Sequence, residues 1–249
     1  MDTLAERWAR LRPTLKIIRP EGPGPFPVVL DFPGCGGVRT HLDQYAEAAR
    51  SVGWMTVRVE SFAARGWSEA YTRCIVCRGL RLRGAQRAGD VLAAVAGVRG
   101  LDGADPARLA LAGWSHGSWA IMDAMTMPLK RRGEAGVADP WAADLSSVRG
   151  AWLAYPFIGF PARSRRMDWV RPIPRVLGVA TARDHLATLE QYRTAFAHAA
   201  ASGSRVDLWE PDANHAFDEP GLSHPKIRHD PEMTAEAMRR YAGFLASLI

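Results

Sequence analysis

Short, mostly apolar runs alternate along this chain with longer stretches in which apolar positions recur every three to four residues. Val28 to Leu30 reads as a buried strand running into the glycine-rich loop Pro33-Gly34-Cys35-Gly36-Gly37, and a helical pattern follows from Thr40 to Val52. The same alternation predicts a strand over Met55 to Val59, a helix over Arg87 to Val98, a strand over Leu109 to Ala112 and a helix over His116 to Met127. Strands at Ala151 to Tyr155, Val176 to Ala180 and Arg205 to Glu210, with helices at Leu186 to Ala201 and Pro231 to Ile249, complete the series. Strands that alternate with helices predict an α/β fold with a mainly parallel central sheet and helices on both faces. Parallel strands need long crossovers, which these helices supply. Two stretches lack periodicity: Lys130 to Ser147 is polar, and 156–174 mixes aromatics, arginines and prolines as a lid or pocket-wall loop would, with a plain loop as the alternative.

The whole chain, 1–249, reads as one domain, with 1–18 as an N-terminal extension. At 249 residues, 47% hydrophobic and 23% charged, it is long and apolar enough for a full core. No stretch approaches the ~20 apolar residues that span a bilayer, so no membrane partner is expected. Charged residues interrupt the N-terminus before any apolar run of signal-peptide length forms, which gives a cytoplasmic expectation. The net charge of +6 comes mostly from scattered arginines, with small groups at Lys130-Arg131-Arg132 and Arg163 to Arg166. A nucleic-acid binder would gather them into a stripe, so no nucleic-acid partner is expected. Cys74 and Cys77 form a single CxxC without the further ligands a zinc site needs, so no metal is expected. Reduced structural thiols are the expectation for Cys35, Cys74 and Cys77, with a bond from Cys35 to Cys74 or Cys77 as the alternative.

Gly113-Trp114-Ser115-His116-Gly117 fits G-x-S-x-G between a predicted strand and a predicted helix. In that setting a sharp turn holds the serine exposed, and small flanking residues relieve the crowding. A nucleophilic serine needs a base, and the base needs an orienting carboxylate. His215 lies in a loop directly after the strand Arg205 to Glu210, which places it at the sheet edge of Ser115. His41 and His198 fall in helices, His116 adjoins the nucleophile, His185 is followed at once by a helix, and His224 and His229 follow no strand. Asp184, just beyond the strand Val176 to Ala180, is the candidate acid; Asp212 and Glu60 compete, and capping of the next helix is its alternative role. The oxyanion-hole donors expected from this arrangement are the amides of His116 and of Cys35, with Gly36 next. Trp114, Trp119, Phe157, Phe160 and Trp169 are candidate apolar walls, and Arg65, Arg163 and Arg165 candidate partners for a substrate carboxylate.

With these elements in order, the chain resembles the dienelactone hydrolase family of the α/β-hydrolase superfamily, from about Arg19 to the end. The likeness rests on Arg19 to Leu30, Pro33-Gly34-Cys35-Gly36-Gly37, Glu60 to Gly66, Gly113-Trp114-Ser115-His116-Gly117 and Asn214-His215-Ala216-Phe217. It implies the α/β-hydrolase fold and hydrolysis of a small-molecule ester or lactone without a cofactor. Members of that family carry cysteine at the elbow, where this chain has Ser115, and often His-Gly before the oxyanion glycines, where it has Phe32-Pro33-Gly34. The first departure favours ordinary ester hydrolysis over dienelactone; the second bears on the shape of the oxyanion hole, which backbone amides can still form. The other readings are an acyltransferase, a carbon–carbon bond hydrolase, or a non-catalytic binding protein on the same fold. A homodimer is compatible with each.

Overall fold

The apolar runs become the strands of one sheet in the computed structural model, which describes residues 1–221 and 224–249. In chain order the elements are α1 (Leu4–Leu11), β1 (Lys16–Ile18), β2 (Phe26–Phe32), α2 (His41–Ser51), β3 (Met55–Arg58), α3 (Gly84–Gly97) and β4 (Ala104–Trp114). They continue with α4 (His116–Met125), β5 (Val148–Ala154), β6 (Arg175–Val179), α5 (Leu189–Ala201), β7 (Arg205–Trp209) and α6 (Pro231–Ala246), with short 3-10 turns, the α turn Glu69–Tyr71 and the π turn Thr72–Val76 between them. Among the described residues the strand order is β1-β3-β2-β4-β5-β6-β7. Only the pairing of β1 with β3 is antiparallel; the rest of the sheet is parallel.

The core lies on both sides of the central strands. Val28, Val29, Leu30 and Phe32 of β2 and Leu109 to Ala112 of β4 are buried at consecutive positions, as expected of strands covered on both faces. Helix α3 packs on α1 and α4, while α2 packs on α6. Asp31 is the polar exception inside β2. Arg58 of β3 donates to it at 2.9 Å and reaches out to Asp43 at 2.7 Å, so the buried charge is paired.

Residues 1–18 are not a bare extension. Thr3 and Glu6 form a capping box for α1, an arrangement that satisfies two end amides of a helix. Leu4 and Leu11 are buried, and Arg7 binds Asp2 at 2.6 Å and Asp90 of α3 at 2.7 Å. The segment 156–174 is held against α4: Asp123 accepts from the amides of Arg163 at 2.9 Å and Ser164 at 3.1 Å. Burial pushes the Asp123 carboxyl up to about 6, although those amides and Trp119 pull it back.

The expectation of reduced thiols is corrected. Cys35 and Cys77 form a disulfide across a sequence separation of 42, and Cys74 is free and exposed. The CxxC is therefore split, one cysteine bonded to the glycine-rich loop and one facing solvent. No helix among the described residues is long and apolar enough to cross a membrane.

Candidate active site

The turn from β4 into α4 is built around Ser115. Its backbone stands at φ 49°, ψ −106°, a conformation that L-residues avoid and that a tightly determined turn must hold. The ladder continues through the turn, with the Ser115 amide donating to Ala154 at 2.9 Å. Ser118 ties the corner from behind, donating to the carbonyls of Gly113 at 2.6 Å and Ala154 at 3.1 Å. The flanking glycines are required by space. A Cβ on Gly113 would meet the Ser118 amide at 2.5 Å, and one on Gly117 would overlap the Phe32 carbonyl.

At the same carboxyl edge of the sheet, His215 Nε2 lies 2.9 Å from Ser115 Oγ. Its Nδ1 lies 2.7 Å from Asp184 Oδ2. A carboxylate only accepts, so Nδ1 carries the proton and Nε2 is left to accept from the serine hydroxyl. Asp184 is fixed by three further donors: Tyr192 Oη at 2.5 Å and Thr181 Oγ1 at 2.8 Å on Oδ2, and the Leu186 amide at 2.8 Å on Oδ1. Burial works against its charge, but His215 and the hydrogen bonds from His215, Tyr192 and Leu186 outweigh burial and hold the carboxyl down at about 2. The capping role weighed for Asp184 belongs instead to Thr188, which caps α5.

The His215 ring is wedged by Tyr155, whose ring meets it edge-on at 4.9 Å. Tyr155 has a positive φ of 32° and donates to the buried Asp218 at 2.5 Å; Tyr45 donates to the other Asp218 oxygen at 2.8 Å. The loop after β7 thus anchors itself in the core three residues beyond the imidazole.

A cavity of about 470 Å³ opens over Ser115 and His215. Gly34, Cys35 and Gly36 form one wall, in a turn closed by the Gly37 amide on the Gly34 carbonyl at 3.1 Å. The Cys35–Cys77 bond, Arg39, Arg73 and Arg78 form a second wall; His185, Leu186, Ala216, Glu219, His224 and Ile227 complete it. The His116 amide sits in the first turn of α4, where amides have no intrahelical acceptor. The Cys35 loop and the α4 N-terminus therefore both border Ser115.

Several sequence-predicted residues do not meet the cavity. Arg65 is turned away: it donates to Asp90 at 2.8 and 2.9 Å and to the Ser61 carbonyl at 2.6 Å. Trp114 is fully buried against Tyr45 at a ring distance of 4.9 Å, since its strand position points it into the core. Phe157 packs on Trp119 at 4.8 Å, Phe160 is exposed, and Trp169 is buried. Arg163 bonds Thr126 at 3.0 Å, and no residue of 156–174 is among those lining the cavity. Of the arginines that do line it, Arg39 and Arg78 come from turns and loops without periodicity, as does Glu219, and Arg73 from the short helical turn Thr72–Val76. For Glu219 a signal existed: a carboxylate four residues after a candidate base, in a segment that ends a buried loop. Burial and the neighbouring Asp218 push its carboxyl up to about 7, against the pull of Arg39, whose Nε is 4.0 Å away.

No family model and no curated protein sequence matches the chain. Solved structures do. A Klebsiella pneumoniae protein provisionally assigned as a dienelactone hydrolase superposes with a TM-score of 0.67 at 16% identity, covering 93% of this chain and 92% of that one. Esterase 2 of Thermogutta terrifontis in its apo form gives 0.67 at 17% identity over 94% of this chain and 89% of that one. The same esterase with propionate bound gives 0.64 at 16% identity, with the same coverage. At these identities the likeness establishes the architecture, the α/β-hydrolase fold.

Proposed function

We propose that this chain, an α/β-hydrolase by fold, is a serine hydrolase that cleaves carboxylic esters or lactones through an acyl-enzyme. The observation that carries the proposal is one imidazole bridging Ser115 Oγ at 2.9 Å and Asp184 Oδ2 at 2.7 Å, at the floor of an open cavity. The similarity to an esterase and to a protein assigned as a dienelactone hydrolase supports the same reading.

In the proposed cycle Ser115 Oγ attacks the substrate carbonyl and its proton passes to His215 Nε2. Asp184 holds the imidazole in the required tautomer and stabilises the imidazolium. The amides of Cys35 and His116 receive the tetrahedral oxyanion, a contribution of ~3 kcal/mol per donor in comparable sites. Collapse breaks the ester bond, and the leaving alkoxide takes the proton back from His215. Water then attacks the acyl-serine by the same route, releasing the acid and restoring Ser115; a lactone leaves as its hydroxy acid. Arg39 and Arg73 at the cavity are paired with Glu69 at 2.7 and 3.4 Å, so Arg78 is the cation that favours substrates carrying negative charge away from the scissile bond.

A cytoplasmic location stays part of the proposal, and the Cys35–Cys77 bond, of a kind that persists in oxidising compartments, counts against it. Fluorophosphonate labelling of wild type and Ser115→Ala, read by intact mass and peptide mapping, tests the central reading. One adduct on Ser115, absent from the variant, is the expected result. A folded wild type that takes no adduct and turns over no aryl ester points to a binding protein, and acyl transfer to added alcohols or amines in preference to water points to a transferase.

A further inference from the structure

Arg87 lies on α3 and is fully buried. Its guanidinium forms no ion pair among the described residues, in contrast to Arg7, Arg58 and Arg65. All its hydrogen-bond partners are neutral. Nε donates to Ser61 Oγ at 3.0 Å, and one terminal nitrogen donates to the Pro33 carbonyl at 2.8 Å and to His116 Nδ1 at 3.2 Å. The Phe62 ring covers the guanidinium at 4.7 Å. Asp90 and Asp31 act on this charge only at a distance, and a buried cation with no directly bonded carboxylate is costly, so a fold tolerates one where the charge is used.

These partners are the loops that build the oxyanion hole. Pro33 is two residues before Cys35, on the loop after β2. His116 owns the other proposed donor, at the start of α4, and Ser61 belongs to the loop after β3. Since Arg donates only, His116 Nδ1 accepts and the ring is held neutral; burial and Arg87 together push it down to about 3. We infer that Arg87 is the positioning residue of the oxyanion hole: one guanidinium that fixes the Cys35 loop against the His116 amide and sets a positive charge behind the developing oxyanion. The inference rests on the hydrolase reading above. It acts through backbone amides, so it predicts an effect on the transition state and little on substrate binding.

The test compares wild type, Arg87→Lys and Arg87→Met for aryl ester hydrolysis and for inhibition by a trifluoromethyl ketone, which forms the tetrahedral adduct. Arg87→Met should lower kcat at least thirtyfold with KM changed less than threefold, and weaken the ketone in proportion to kcat/KM. Arg87→Lys keeps the charge and should recover part of both losses. The His116 imidazole, followed by nitrogen NMR, should titrate at higher pH in Arg87→Met. Should Arg87→Met fail to fold, Ser61→Ala and Arg87→Lys carry the comparison, with the same parallel loss of kcat and ketone affinity expected. An active wild type whose Arg87 variants keep kcat and ketone affinity overturns this inference alone. A wild type that neither hydrolyses esters nor takes the fluorophosphonate overturns the hydrolase reading, and this inference with it.

Discussion

Tyr192 donates its hydroxyl to the same Asp184 oxygen that holds the His215 imidazole, at 2.5 Å against 2.7 Å. The phenol comes from α5 and the carboxylate from the loop just before that helix, so the helix itself braces the acid. Removing this donor leaves Asp184 more basic and its pair with His215 less tightly oriented. A hydrogen bond to a charged group contributes ~1.5–3 kcal/mol, only part of which reaches the transition state. We expect Tyr192→Phe to lower kcat/KM by roughly three- to tenfold. Because the Tyr192 hydrogen bond helps hold the Asp184 carboxyl down at about 2, the acid limb that Asp184 protonation sets should move to higher pH. An unchanged limb in a pH–rate series would remove Tyr192 from the acid's support.

The same carboxylate makes stability depend on acid. Asp184 falls from its ordinary value of 3.8 to about 2 in the folded chain, and Asp2, held chiefly by Arg7, falls to about 2 as well. A lowered folded value stabilises the native state above the unfolded value, and the gain disappears as pH drops through the folded one. Thermal or urea melts should therefore show a loss of stability between about pH 4 and pH 2. Asp184→Asn should flatten part of that slope; a slope equal to wild type would assign the acid sensitivity elsewhere.

Glu219 has the opposite sign. Burial and Asp218 raise its carboxyl from 4.5 to about 7, so its contribution is complete at low pH and is lost as pH rises toward 7. Glu219→Gln cannot ionise. Its stability relative to wild type should improve as pH goes from about 4.5 to 7.5 in paired urea titrations. The carboxyl lines the same cavity as Arg39 and Ser115, so its ionisation also adds negative charge where an anionic ester would sit. KM for such an ester should climb above pH 7 in wild type and stay flat in Glu219→Gln. Equal KM profiles in the two proteins would show that the carboxyl does not face the bound substrate.

The parts of this site that were legible in the sequence are those governed by local sterics or by sheet topology. Gly113 and Gly117 flank Ser115 because any side chain there would strike Ser118 or Phe32, and that constraint is local. Asp184 and His215 follow strands of a parallel sheet, and strand ends on that edge converge whatever the loops do. The helix α1 was missed because its signal is a capping box on eight residues, and β1 because a three-residue antiparallel edge strand has no periodicity to detect. Arg39, Arg73, Arg78 and Glu219 meet only through tertiary folding. Arg87 and Asp90 carried a fainter signal, charged residues among Ala88, Val91 and Ala94 on the buried face of α3. Arg65 looked like a substrate ligand because its loop position alone could not reveal Asp90 beneath it.

That correction can be tested directly. Arg65 and Asp90 are a buried pair, with side chains 11% and 0% exposed. Breaking such a pair leaves a buried carboxylate short of a partner and costs ~3–5 kcal/mol. Arg7 still reaches Asp90 and should hold the loss toward the lower end. Arg65→Ala should thus lower the melting temperature by several degrees while KM for neutral and anionic esters stays within twofold. A large rise in KM confined to anionic esters, at unchanged stability, would return Arg65 to the substrate.

The Cys35–Cys77 bond ties the Cys35 loop to the segment that carries Arg73 and Arg78. Closing a loop of this length restricts the unfolded chain by up to about 4 kcal/mol in the chain-entropy treatment. The bond also borders the proposed oxyanion donor, so its loss should loosen the Cys35 amide as well as the fold. Under denaturing conditions without reductant, thiol titration should count Cys74 alone, and reduction should bring the count to three. Cys77→Ser should melt at lower temperature and lose kcat, with dithiothreitol producing the same two changes in wild type and neither in the variant. Three thiols in unreduced protein would deny the bond. A Cys77→Ser variant with wild-type kcat would confine the bond to stability and leave the hole to be held by Arg87 and the turn itself.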